Sequence, residues 1–378
     1  MEILSAINYF SAFLAVIYVL VVCFFIIGWI RIKYYQPTAK TGTTMVSIII
    51  AARNEEDKIE ATISDVLNQN YNKDLFELII IDDNSTDSTA SIISSYADKG
   101  VILLQLKEDK LINSYKKKAI QTAIGQAKGS LIITTDADCR MDSDWLKTIV
   151  NYYEENGFKM ISSPVAYFQE KNWFENAQSL EFSYLIGLGA STIGNKNPST
   201  CNGANLAYEK KAFFEVGGFT GIDDLASGDD ELLLHKMAAL YGNKIGFLKN
   251  REAVVYTHAK PNLKEFIQQR RRWASKSTRY KEKSVIILGV SIWLFNLSII
   301  VNALLAIFFP ESLPFLLFQL GIKFVAEFIF LYKVTDFFKR RTLLGLLPVL
   351  TLLHIIYIVY IGIAGNSGKY NWKGRMVK

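Results

Sequence analysis

The sequence predicts an α/β domain on a mostly parallel sheet, in a chain that also carries α-helical transmembrane segments. Three observations predict it. Between about residues 45 and 280, short β-branched runs alternate with stretches of helical spacing, as strands joined by crossover helices do. Four apolar stretches outside that region, 7–30, 285–309, 312–332 and 343–364, are each long enough to span a bilayer core. Polar and acidic clusters stand where the apolar runs end, not within them.

Taken in order, "MVSIIIAARNEE" is a buried strand running into polar residues, and "EEDKIEATISDVLNQ" follows with helical spacing at Ile59, Ile63, Val66 and Leu67. "FELIIIDD" is a second strand, and "STDSTASIISSYA" a helix opened by Ser and Asp caps. "VILLQL", "KKKAIQTAIGQA" and "LIITT" continue as strand, helix and strand. In such sheets ligands bind beyond the carboxyl ends of the strands. The clusters Arg53-Asn54-Glu55, Asp82-Asp83 and Asp136 with Asp138 all fall at those ends.

The 378 residues suffice for about two domains. Hydrophobic residues make up 50% of them, which the four apolar stretches explain. The net charge of +6 clusters beside those stretches, so it reads as membrane orientation and not as a nucleic-acid surface. Cys23, Cys139 and Cys201 form no disulfide framework and suit a reducing compartment. The stretch 7–30 carries no charge and is followed by Arg31 and Lys33, as a retained anchor with its amino end outside would be. The expected division is an anchor and linker over 1–44, a catalytic domain over 45–260, an amphipathic interfacial helix over 261–283, and about three further spans with a basic tail over 284–378. Lys323 and Glu327, one helical turn apart in an apolar segment, should face protein and not lipid. Four full spans would put the basic tail "GKYNWKGRMVK" outside, against the positive-inside rule, so its side stays open.

The chemistry begins at "LIITTDADC". Asp136 and Asp138 stand two residues apart at a strand end, on one side of an extended chain. Two like charges placed so call for a cation. Mg²⁺ takes one or two carboxylates and completes its shell with substrate phosphates. No G-x-G-x-x-G follows the first strand and no G-x-x-x-x-G-K-[ST] is present, which argues against dinucleotide-binding and P-loop enzymes.

The ordered set "VSIIIAARNEE", "IIIDDNSTDST", "AKGSLIITTDADC", "CNGANLAYEKKAF", "SGDDELL" and "QRRRW" resembles the membrane-bound family 2 glycosyltransferases, over about residues 45–280. The resemblance implies a GT-A (nucleotide-diphospho-sugar transferase) fold and an inverting transfer from a nucleotide-diphosphate sugar. It implies that Asp83, with Asp82, binds the nucleotide, that Ala51, Arg53 and Glu55 line its pocket, and that Lys116 or Lys117 lies near the donor. Asp138 would ligate a divalent cation, Mg²⁺ or Mn²⁺, while Asp136 orients the donor sugar or shares the ion. Asp230 is favoured as general base, with Asp229 next; simple helix capping is the structural alternative. Asn202, Gly203 and Asn205 would shape the acceptor side. Gln269, Arg272 and Trp273 share a helix face and match Q-x-x-R-W, a donor-pyrophosphate motif in the resembling family, whereas Arg270 and Arg271 face elsewhere. Asp223-Asp224 reads as loop, and His258 as structural.

The expectation is therefore an integral membrane glycosyltransferase in a bacterial-type inner membrane, its catalytic domain cytoplasmic, acting on a membrane lipid and on no nucleic acid. A processive polysaccharide synthase and a non-catalytic sugar-nucleotide-binding membrane protein are the alternatives.

Overall fold

The computed structural model describes residues 2–38, 42–106, 114–365, 370–372 and 375–377. They form two units. One comprises Arg31–Glu170, Thr192–Ala259 and Gly368–Lys378; the other comprises Met1–Ile30, Lys171–Ser191 and Lys260–Ser367. The last division along the helices and sheet falls between Ala259 and Lys260, and 171–191 groups with the apolar helices and not with the sheet. Most of the basic tail, and with it the question of its side, lies outside the described residues.

The helices are α1 (Glu2–Arg31), α2 (Ile59–Leu67), α3 (Thr89–Ser94), α4 (Tyr115–Gln126), α5 (Trp145–Asn156), α6 (Trp173–Gly194), α7 (Lys210–Glu215), α8 (Glu231–Tyr241), α9 (Leu263–Ser275), α10 (Lys283–Phe308), α11 (Leu313–Phe337) and α12 (Leu347–Ala364). The sheet unit is built on β1 (Val46–Ala52), β2 (Phe76–Asp82), β3 (Val101–Gln105), β4 (Leu131–Asp136), β5 (Arg140–Met141), β6 (Met160–Ser162), β7 (Val165–Tyr167), β8 (Leu206–Glu209), β9 (Ile245–Phe247) and β10 (Val255–Thr257).

Seven strands make the main sheet in the order β3-β2-β1-β4-β8-β6-β9. The pairs β2–β3, β1–β2, β1–β4 and β6–β9 are parallel. Burial on both faces explains why β1, β2 and β4 read as continuous apolar runs and not as alternating ones. The strand β8 runs antiparallel to β4, pairing Leu206 with Thr134. That reversal carries the turn before β8, Asn202–Asn205, to the edge where β4 ends in Asp136. A smaller sheet, β5-β10-β7, sets Thr257 at the end of β10.

The helical unit holds four helices long and apolar enough to cross a membrane, Glu2–Arg31, Lys283–Phe308, Pro310–Phe337 and Arg341–Ala364. Several of their buried polar groups are bonded to one another. Lys323 Nζ lies 2.6 Å from Glu327 Oε1, and the Tyr18 hydroxyl donates to the same carboxylate oxygen at 2.6 Å. Asn302 donates to Ser11 and Gln319, and Gln319 to Ser298. Placed in hydrocarbon, such groups need internal partners, and pairing Lys323 with Glu327 supplies them.

Close packing at the start of β4 yields a test. A Cβ on Gly129 would lie 2.3 Å from the backbone nitrogen of Ser47 and 2.6 Å from the carbonyl carbon of Val46, neither of which can yield without moving β1. Gly129→Ala should lower stability by about the 1–3 kcal/mol of an overpacked core, read as a fall in thermal midpoint. Gly125→Ala, within α4 and facing open space, should leave the midpoint unchanged or raise it.

Candidate active site

The parallel strands bring their carboxyl ends to one edge, and the turns there are tightly organised. After β1, Arg53 Nη1 donates to the carbonyls of Asp83 at 2.6 Å and Asn84 at 2.8 Å, locking the first turn to the second. Asn54 and Asn84 adopt left-handed backbone conformations, which Asn tolerates better than most residues. The Asn54 side-chain oxygen accepts from the amide of Thr86. Glu55 contributes its amide to the Thr89 hydroxyl and its carbonyl to the start of α2. Asp82 and Asp83 are buried; Asp82 accepts from Ser85, and the Asp83 amide donates to the carbonyl of Ala52. Ala51 pairs with Ile81 and Asp136 in the neighbouring strands, so it forms the floor of this edge.

A lysine sits among the acids. Lys116, in the first turn of α4, places its ammonium 2.8 Å from Asp136 Oδ1 and 3.2 Å from Asp229 Oδ2. Burial works against its charge, but Asp136 and Asp229, with Asp230 behind them, outweigh it and hold the ammonium above the usual lysine range. The neighbouring Lys117 does something different. It is buried, and its ammonium donates to the carbonyls of Ile222, Leu225 and Ser227 at 2.6–2.7 Å. Burial pushes it down to about 8, against the pull of Asp229, Asp230, Asp224 and Asp223. Three carbonyl acceptors match the three donors of an ammonium, so we read Lys117 as charged near neutral pH. Of the two lysines considered for the donor, Lys116 faces the acidic cluster, and Lys117 anchors the loop that leads into the second acidic pair.

That loop also holds Asp223, whose carbonyl accepts from the Ser114 hydroxyl. It delivers Asp229 and Asp230 to the start of α8. Asp230 caps the helix, accepting on Oδ1 from the Glu231 amide at 2.6 Å and on Oδ2 from the Gly203 amide at 3.1 Å. The capping alternative is thus realised, yet a carboxylate has further lone pairs and the residue stays partly exposed. A Cβ on Gly203 would stand 3.3 Å from Asp229 Oδ2 and 3.4 Å from Asp230 Cβ. A glycine there lets the Asn202–Asn205 turn close against the acidic pair. Asn202 accepts from the Ala204 amide.

Asn205, expected on the acceptor side, is a framework residue. It is fully buried, donates to the carbonyls of Pro164 and Ala253, and accepts from the Trp145 indole. All its side-chain capacity but one lone pair is used inside the core.

Asp138 lies in the turn after β4. Its Oδ2 is 3.7 Å from Lys58 Nζ and 3.5 Å from the Thr257 hydroxyl, both loose contacts. No motif marked Lys58 or Thr257 as neighbours of the acidic pair. Among the described residues no three acidic, His or Cys side chains are grouped to hold a metal. The oxygens of Asp138 and Asp136 nevertheless fit a hard divalent cation that takes its other ligands from a diphosphate. Buried Cys139 has its thiol pushed well up by burial and by Asp138 and Asp136, so it is no nucleophile. His258 stacks on Phe168.

In the helical unit, α9 carries the Q-x-x-R-W residues, and here the expectation about Arg270 is corrected. Arg270, not Arg272, is the buried arginine, ion-paired with Glu181. It lies over the rings of Phe266 and Trp273 and donates to Gln269 Oε1 at 2.8 Å. Gln269 and Trp273 therefore both bear on Arg270, and Trp273 also meets Phe182. Arg272 is half-buried on the same helix. The i, i+3, i+4 spacing describes which residues share a face; it does not say which face is packed.

A mostly parallel seven-stranded sheet with an acidic strand end at its carboxyl edge is the architecture of a GT-A nucleotide-sugar transferase domain. Residues 47–217 match the family model described as Glycosyl transferase family 2. The chain is 29% identical over 200 residues to a beta-monoglucosyldiacylglycerol synthase of Nostoc sp., covering 52% of this chain and 42% of that protein. It is 29% identical over 177 residues to a poly-beta-1,6-N-acetyl-D-glucosamine synthase of Staphylococcus aureus, covering 46% of this chain and 41% of the relative. It thus spans less than half the length of these curated relatives. The fold is similar to that of a mannosyltransferase from Pyrobaculum calidifontis solved with GDP-Man and Mn²⁺, with a TM-score of 0.55, 17% identity, and coverage of 93% of this chain and 97% of that one.

The two adjacent lysines should separate cleanly on mutation. Lys117→Met removes the partner of three buried carbonyls, each costing about 1–3 kcal/mol when unsatisfied, and should lower the thermal midpoint sharply. Lys116→Met leaves the loop anchored but takes the cation from Asp136 and Asp229, so the midpoint should fall less than for Lys117→Met while sugar-nucleotide affinity, measured by calorimetry, falls. Equal destabilisation by both would contradict the division of roles.

Proposed function

We propose that the protein is an inverting glycosyltransferase that moves a sugar from a nucleotide-diphosphate donor to a lipid acceptor at the cytoplasmic membrane face. One observation carries the reading: Asp136, Lys116, Asp229 and Asp230 converge at the carboxyl edge of a family 2 glycosyltransferase sheet. The buried turns after β1 and β2, with Asp82, Asp83, Ala51, Arg53 and Glu55, would receive the nucleoside. Lys116 would stand by the donor's diphosphate or sugar. Asn202 and Gly203 would border the acceptor.

In the transfer, the acceptor hydroxyl attacks the anomeric carbon. The bond from that carbon to the diphosphate oxygen breaks, and nucleoside diphosphate leaves. Asp230 takes the hydroxyl proton. Asp229 is the ion-pair partner of Lys116, and two backbone amides orient Asp230 for this part. Asp138 and Asp136 would hold a divalent cation, which when bound stabilises charge on the leaving diphosphate.

The chain is similar both to a glycolipid synthase and to a polysaccharide synthase. The lipid acceptor is favoured by the helical unit, in which Lys323, Glu327 and Tyr18 close on one another and Asn302 and Gln319 do likewise, as polar groups set in hydrocarbon must. Arg31 and Lys33 beside the first span, and Lys339, Arg340 and Arg341 after the third, favour a cytoplasmic domain in a bacterial-type inner membrane.

Membranes containing the protein, given a panel of sugar nucleotides and total lipid extract, should yield a low-molecular-weight, solvent-extractable glycolipid by mass analysis. A lipid-free polymer of high molecular weight would overturn the lipid reading in favour of a processive synthase. Chelator should abolish transfer and Mg²⁺ or Mn²⁺ restore it, with Asp138→Asn inactive at any metal concentration; full activity in chelator would remove the metal. Asp230→Asn should bind donor normally and lose transfer by a factor of about 10² or more, the scale of a general base. If Asp229→Asn is the dead variant and Asp230→Asn is active, the two roles are exchanged.

A further inference from the structure

The helical unit contains a cavity of about 500 Å³, walled by α6, α9, α11 and α12. That volume lies within the roughly 300–1,000 Å³ of small-molecule sites. Ala177, Leu180 and Tyr184 of α6 form one wall, and Leu350, His354 and Tyr357 the wall opposite. The polar side chains around it are turned onto protein partners. Glu181 holds Arg270, Glu327 holds Lys323 and Tyr18, and Gln178 exchanges two hydrogen bonds with the backbone of Lys260. The His354 ring stacks on Tyr357. The cavity therefore offers carbon and ring faces.

Its rim is apolar and exposed. Leu263 on α9, and Leu353 and Ile356 on α12, are 62%, 47% and 64% exposed. Such a rim is stable when hydrocarbon covers it, and α12 is one of the helices long and apolar enough to cross a membrane. A solute arriving from water would have to cross that rim; a lipid chain is already beside it. The helix α9 carries both part of the cavity and the Q-x-x-R-W residues. Phe266 and Ile267 line it, and Arg272 follows Phe266 by six residues, about 9 Å along the axis. A chain seated on Phe266 keeps its headgroup within a short reach of the Q-x-x-R-W residues.

We propose that this cavity takes one hydrocarbon chain of the acceptor lipid and so fixes where its hydroxyl is presented. The proposal rests on the lipid-acceptor reading above. It assigns to Ala177, Leu180, Tyr184, Leu350, His354 and Tyr357 a part in acceptor binding.

The test uses the full chain in phosphatidylcholine vesicles doped with a phosphatidylcholine that carries a diazirine at the end of one acyl chain. After irradiation, cross-links mapped by mass spectrometry should concentrate in 177–184 and 350–357, well above those around Leu304, which is exposed on α10. The lipid fraction that the enzyme glycosylates should compete this labelling away. Ala177→Trp should raise KM for the lipid acceptor about tenfold, the effect of a little over 1 kcal/mol of lost contact, and leave KM for the sugar nucleotide unchanged. Labelling no stronger than at Leu304 would overturn the chain site, and this measurement on the unaltered protein decides even if Ala177→Trp does not fold. Labelling that the glycosylated lipid cannot displace would overturn the acceptor assignment. An unaltered enzyme that labels in the cavity but makes no glycolipid would overturn the lipid-acceptor reading and leave the chain site standing.

Discussion

Three carboxylates meet at the carboxyl edge of the sheet, and the ammonium of Lys116 is what makes that arrangement tolerable. Asp136 arrives on β4, Asp229 and Asp230 on the loop before α8, and Lys116 on the first turn of α4. Neighbouring carboxylates repel one another, and a single partly buried cation between two of them lowers the energy of the whole group. Asp138, two residues further on, makes loose contacts, at 3.7 Å to Lys58 and 3.5 Å to Thr257.

The framework beneath it serves this placement. Lys117 holds three carbonyls of the 222–227 loop, Asn205 ties three segments through its amide, and Arg53 fastens the first turn to the second. Each uses a strong donor or acceptor, fully bonded, where a loop crosses the end of the sheet. Buried polar groups satisfied in this way hold geometry well, because any displacement breaks several bonds together. The cluster can then keep like charges close without spreading apart.

The helical unit applies the same rule in an apolar setting. Lys323 and Glu327 close on each other and on Tyr18, and Arg270 closes on Glu181 between aromatic rings. The polar groups are neutralised locally, which leaves the cavity between α6 and α12 walled by carbon.

Local sequence pattern alone determined the strands, the four bilayer-length helices and the acidic strand ends. Continuous β-branched runs bury both faces of a strand, and uncharged runs of twenty or so residues admit few other uses. The pairing of Lys323 with Glu327 was legible for the same reason, since helical spacing alone brings i and i+4 together. What depended on through-space approach was not legible. Lys116 and Lys117 are identical in local pattern, but successive helix residues point about 100° apart, so one meets carboxylates and the other a loop. In "QRRRW" the spacing singled out Arg272, yet Arg270 is the one buried, because Glu181 from a distant segment packs on that side of α9. Asn205 looked like a ligand contact until its partners, 41, 48 and 60 residues away in the chain, closed around it. The grouping of 171–191 with the apolar helices, and the cavity it helps to wall, likewise come from helix packing that no local periodicity encodes.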